Sequence, residues 1–315
     1  MIAPFPGTIQ EFQNRIEVDK ILEECWKNSD AGYEVQPSDE WIVNNQLQQQ
    51  RGGDYYDILE NESFDESSTA MTARRRPSTY GEITPLGARQ LFGAMGLLDC
   101  PRIQLQQSRE HKRPVHFFDL GSGTGKLVGQ VVLELPPGNI ERATGIELSP
   151  SRHESAVQAK GVLQRLLGTE FRSERFRFDR DDRMKAVSLS EETINRFSSD
   201  NLELLQGDLF EVDLSTATHI YVASLCFPQN LMVRLEEKLQ LLRQQQLEKQ
   251  RDQPHGGAGE SELQWVASLQ PFPNNLGGIR PIVRFMEMSW TKPFGSAVYL
   301  YRFSTKSPKK EDEKE

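Results

Sequence analysis

The spacing of apolar and polar residues along the chain changes several times, and each change predicts a different element. Between residues 9 and 50 the apolar positions keep helical spacing: Ile9, Phe12 and Ile16, then Ile21, Leu22 and Trp26, and a second group at Trp41, Ile42, Val43 and Leu47. Short helices of an N-terminal region, 1–50, are expected there. From 51 to 78 the periodicity is lost. Gly52-Gly53, several acids, Ser67-Ser68-Thr69 and Arg74-Arg75-Arg76 ahead of Pro77 read as a linker.

Strand-like and helix-like segments then alternate. A helix is expected from Pro85 to Leu98, and the apolar run Val115–Leu120 predicts a strand that enters a Gly-rich turn and a helix from Lys126 to Leu135. A second strand, Ala143 to Leu148, meets Ser149-Pro150-Ser151, where a hydroxyl caps free amides and Pro suits a first helical turn. Strands at Leu202–Gln206 and His219–Ser224 precede a long polar helix from Pro228 to Arg251. Strands Trp265–Leu269, Val283–Trp290 and Ala297–Phe303 follow, the last two as an antiparallel hairpin.

The expected fold is therefore α/β: a seven-stranded Rossmann-like sheet, mostly parallel with an antiparallel C-terminal hairpin, in a domain spanning 79–305. Two stretches look inserted, 169–200 with its Arg and Asp residues, and 240–262 with its Gln-rich run and His255-Gly256-Gly257. Residues 306–315 form a charged tail.

Charge narrows the function. With 37 Lys plus Arg against 46 Asp plus Glu, the net charge of −9 weighs against a diffuse grip on nucleic acid, and sequence-specific nucleic-acid binding is not expected. Local basic patches remain at Arg74–Arg76 and at Arg172, Arg175, Arg177, Arg180 and Arg183. Cys25, Cys100 and Cys226 lack paired short spacings, so a disulfide framework and a Cys-rich metal site are not expected, and a reducing intracellular setting fits. Met1–Gly7 carries no basic-then-apolar leader and no apolar run approaches membrane-spanning length, so a soluble chain without a membrane role is expected.

The chemistry concentrates at strand ends. In Asp119-Leu120-Gly121-Ser122-Gly123-Thr124-Gly125 the glycines permit a tight turn and let backbone amides approach a ligand at a helix N-terminus. Glu147 closes the second strand, where an acid accepts hydrogen bonds from both ribose hydroxyls. At the end of the third strand, Asp208 could take an adenine amine while Leu209 or Phe210 packs on the ring. This order points to an adenosyl cofactor. Asp-x-Gly-x-Gly-x-Gly favours S-adenosylmethionine over a dinucleotide, which needs GxGxxG under a pyrophosphate.

At this point the chain resembles the non-SET histone-lysine methyltransferases named for disruption of telomeric silencing, over roughly residues 78–303. Tyr80-Gly81-Glu82-Ile83 resembles that family's cofactor-covering loop, and Met288-Ser289-Trp290-Thr291 its Ser-Trp-Thr segment. The resemblance implies that Tyr80, Gly81, Glu82 and Ile83, with Phe117 and Asp119 through Lys126, surround the methionine part of the cofactor. Glu147 would hold the ribose and Asp208 with Leu209 the adenine, while Phe227 and Trp290 line a lysine channel.

The family's Asn-Asn pair beside the reacting methyl is replaced by Ala223-Ser224, and its cover-loop Thr by Ile83. Ser224, Phe227 and Trp290 are thus the acceptor-side candidates. The implied activity is methyl transfer to a protein lysine, with histone or nucleosome as candidate partner and the nucleus as implied location. The alternatives are a small-molecule methyltransferase and a non-catalytic cofactor-binding scaffold.

Overall fold

In the computed structural model, residues 9–27, 39, 81–98, 115–135, 139–167, 201–252, 262–291 and 295–303 are described. Tyr80, the Trp41–Leu47 group, Arg74–Arg76, the 169–200 stretch and the charged tail lie outside them.

The expected Rossmann-like sheet is present, with seven strands: β1 (Val115–Leu120), β2 (Ile140–Glu147), β3 (Leu202–Gln206), β4 (His219–Val222), β5 (Trp265–Ser268), β6 (Ile282–Met286) and β7 (Ser296–Arg302). Their order across the sheet is β3-β2-β1-β4-β5-β7-β6. The first five run parallel, and β7 enters antiparallel between β5 and β6. β1 is central and buried on both faces, which is why Val115–Leu120 reads as an unbroken apolar run rather than an alternation.

Helices cover both faces. α1 (Ile9–Cys25), α2 (Pro85–Ala94), α3 (Lys126–Glu134) and α4 (Pro150–Leu167) precede α5 (Gln229–Asp252). Leu22, Leu91, Phe92, Val128 and Val131 build one core with Phe117 and Tyr221 from the sheet. On the other face Met232, Leu235 and Leu239 pack with Phe118, Leu120, Ile220 and Val266. Adjacent Phe117 and Phe118 thus belong to opposite cores, as strand alternation requires.

The first helix expected in the N-terminal region is α1, and Val18, Ile21, Leu22, Cys25 and Trp26 join the first core. Burying each such side chain is worth about 1.5–3 kcal/mol, enough to seat the helix firmly. The strand expected at Val283–Trp290 ends at Met286, because the Glu287 backbone turns away from β7: its N–H donates to Gln90 Oε1 at 3.0 Å and its carbonyl accepts from the Thr84 N–H at 3.3 Å. The Gln-rich run simply continues α5 to Asp252. No described helix is long and apolar enough to cross a membrane.

Candidate active site

The turn after β1 is built by glycines in conformations closed to most residues. Gly121, Gly123 and Gly125 have φ of 87°, 56° and 77°, where a Cβ would be strained. The turn is pinned to β2: the Gly121 and Ser122 N–H groups both donate to the Ile146 carbonyl at 2.9 Å. From above, the Gly123 N–H donates to Glu147 Oε2 at 2.8 Å, and the Ser149 N–H to Glu147 Oε1 at 2.9 Å. Glu147 therefore fixes the loop, and each of its oxygens keeps a second lone pair for a ligand.

Asp119 lies beneath that loop at 2 % exposure, and its Oδ1 meets no hydrogen-bond donor. Burial and the neighbouring Glu147 charge push its carboxyl up to about 8. A buried carboxyl without a donor is costly unless a cation or donor completes it. S-adenosylmethionine carries an ammonium and a sulfonium, so the residues present fit that cofactor.

The cover loop is tied on both sides. Glu82 Oε1 accepts from Thr124 Oγ1 at 3.0 Å and Glu82 Oε2 lies 3.4 Å from Lys126 Nζ, joining it to the Gly-rich turn. On its other side the Ser289 N–H donates to the Glu82 carbonyl at 2.9 Å, and Ile83 bridges Met288 as a single antiparallel pair. Gly81 lies against the Trp290 ring so closely that a Cβ there would come within 2.4 Å of the indole. Ile83 itself is buried in the first core.

The remaining sequence candidates divide. Phe117 is fully buried and edge-on to Phe92 at 6.3 Å, so it supports the turn from within the core. Leu120 is likewise core on the opposite face. After β3 the Gly207 N–H donates to the Glu147 carbonyl at 2.9 Å, which places Asp208 and Leu209 next to the end of β2. Asp208 Oδ1 accepts from the Phe210 N–H at 2.9 Å, closing a tight turn.

Of the residues expected on the acceptor side, Phe227 packs on one core and Trp290 on the other. Ser224 is fully buried, and its Oγ accepts from the N–H groups of Leu269 and Gln270, each at 3.0 Å. That hydroxyl ties the segment after β4 to the segment after β5.

Three groups were missed in the sequence. Trp26 Nε1–H donates to the Thr124 carbonyl at 2.7 Å, so the end of α1 braces the Gly-rich turn from behind. Asp39 accepts from Ser149 Oγ at 2.7 Å and also from Ser151 Oγ at the start of α4, where the helix dipole favours an anion. Lys238 Nζ donates to the Leu209, Phe210 and Val212 carbonyls at 3.0, 2.7 and 2.6 Å. Only the last left a trace: Arg234 and Lys238 stand four apart on one face of a polar helix, and the Arg234 guanidinium covers Phe210 at 4.2 Å.

No family model matches the chain, and no curated protein matches it. Solved structures are similar to it at low identity. An RNA methyltransferase from Salinibacter ruber, in complex with S-adenosyl-L-homocysteine, is 18% identical over 72% of this chain and 95% of its own, with a TM-score of 0.37. The magnesium protoporphyrin IX methyltransferase of Synechocystis, with bound S-adenosylmethionine, is 11% identical over 78% of this chain and 100% of its own, also at 0.37. The human methyltransferase 10 domain containing protein is 8% identical over 76% and 94%, at 0.35. The chemistry of the site has to be read from its own residues.

Proposed function

We propose that this chain is an S-adenosylmethionine-dependent methyltransferase whose acceptor is a protein lysine. The observation that carries the cofactor reading is Asp119: a buried carboxyl with one oxygen lacking a donor, under a turn of three left-handed glycines at the carboxyl end of the central strand. Ligands of open α/β sheets bind at that edge. Bound there, S-adenosylmethionine supplies a methyl group activated on sulfur.

The protein's part is alignment and exclusion of water. Asp119 and Glu147 oppose the cofactor's positive charge and hold its hydroxyls, and Glu82 keeps the cover loop closed on Thr124 and Lys126. The lysine reading rests on the resemblance of the Tyr80–Ile83 and Met288–Thr291 segments and on the meeting of Gly81 with Trp290. An aromatic wall favours the neutral amine that must attack, since burial penalises its charged form.

One observation favours a second reading, a cofactor-binding scaffold: Ser224, in place of an Asn, is committed to the β5 backbone. Incubation with methyl-labelled cofactor and nucleosomes, free histones or a cell extract separates the two. Label in a protein lysine is expected, and cofactor binding without transfer to any of the three would favour the scaffold.

A further inference from the structure

β6 is an edge strand of unusual composition. Ile282 and Val283 are 41% and 42% exposed and Phe285 is 66% exposed, so both faces of the strand present apolar side chains to solvent. Natural edges are normally blunted by charge, Pro or a covering element, and a long apolar edge is a template for another strand. Here Pro281 stands only before the strand, and the one charge inside it is Arg284.

The direction of the backbone groups can be fixed from two neighbours. The Met286 N and O lie beside Gly295, on the β7 side. The Glu287 N–H and carbonyl engage Gln90 and Thr84, on the outer side. Alternation along the strand then turns the N–H and carbonyl of Val283 and Phe285 outward as well. Among the described residues no backbone group pairs with them there, and the Val283 carbonyl accepts from the neighbouring Arg284 Nη1 at 3.4 Å. The chain already uses this edge once: residues 82–84 add antiparallel to 287–289 through the Ile83–Met288 bridge.

We propose that the open part of this edge, Val283–Phe285, is the docking strand for an extended segment of the acceptor protein, apolar at alternate positions and acidic between them. The added strand lies in line with the cover loop, so it leads to Trp290 and the methyl-transfer site. Charge selects its chemistry: residues 277–286 hold Arg280 and Arg284 and no acid, in a chain of net charge −9. A second copy is the poorer occupant, because a two-fold pair of β6 strands centred on Arg284 sets like charges opposite each other. The inference rests on the methyltransferase reading only in naming the docked chain as acceptor.

The test is direct binding, by fluorescence anisotropy on the full chain, of labelled peptides of about eight residues alternating Glu with Val or Lys with Val. The unmodified protein should bind the Glu peptide about tenfold tighter than the Lys peptide. Arg280→Glu with Arg284→Glu should reverse that order, an outcome that misfolding cannot produce. Val283→Pro removes an outward N–H and should weaken the Glu peptide about tenfold while S-adenosylmethionine binding is retained. Equal binding of both peptides, or no effect of either variant, overturns the proposal, as does sedimentation showing a dimer that Val283→Pro dissolves. The assay holds no cofactor, so the lysines of the Lys peptide undergo no methyl transfer in it. Failure of cofactor binding with selective peptide binding intact would therefore sink the methyltransferase reading and leave the docking strand standing.

Discussion

Two turns at the same edge of the sheet handle charge in opposite ways. After β3, the Lys238 ammonium is surrounded by three backbone carbonyls, and burial lowers its pKa while Asp208, Glu211 and Asp213 oppose that shift. After β1, the Asp119 carboxyl has an oxygen with no donor and is driven up to about 8. The first charge is complete within the chain and holds a turn in shape. The second is incomplete, and folding tolerates that cost where a ligand will supply the missing partner.

The largest expected effect tests whether the β1 turn is a ligand cradle at all. Gly123→Val forces a β-branched residue into a φ of 56°, and cofactor binding should be lost. Equilibrium binding of S-adenosylmethionine checks this, with circular dichroism to confirm a folded sheet; retained binding would reduce the motif to a plain turn.

Lys238→Met breaks the complete side of the comparison. Three carbonyls lose their shared donor, and urea unfolding should report a loss of about 2–4 kcal/mol. An unchanged midpoint would mean that water replaces the ammonium without cost, and the two turns would no longer differ in kind.

Asp119→Asn sharpens the other side. Cofactor affinity should fall about 10- to 100-fold through loss of a charge-assisted contact. The parent's pH dependence follows from its raised pKa. In the ligand-free fold Asp119 keeps a proton that the unfolded chain loses near its ordinary 3.8, so this group's contribution to stability declines as pH rises from there to about 8. A cation must expel that proton, so affinity should rise with pH and level off near 8. Calorimetry across pH should find both slopes flattened in the Asn variant; equal slopes would acquit Asp119.

The smallest effect is at Arg234→Ala, which uncovers the Phe210 ring. A stability loss of about 0.5–1 kcal/mol is expected from the exposed cation–π contact. A larger loss in cofactor affinity than in stability would place Phe210 on the ligand rather than on the turn.

Strands are legible in sequence where the apolar period is local. β1 and β3 coincide with their apolar runs, and Gly121, Gly123 and Gly125 announced a turn only glycine makes easily. The sequence also determined the antiparallel closure by β6 and β7. What it could not express is which partner a polar group finds across the fold. Ser224 meets two amides just beyond β5, and Lys238 meets three carbonyls in the turn after β3, pairings that no local pattern carries. The end of β6 at Met286 was decided by Gln90 and Thr84, nearly two hundred residues away in sequence. Asp119 is the clearest case: its place at the strand end is written in sequence, but only the packed interior excludes water and leaves its Oδ1 without a donor.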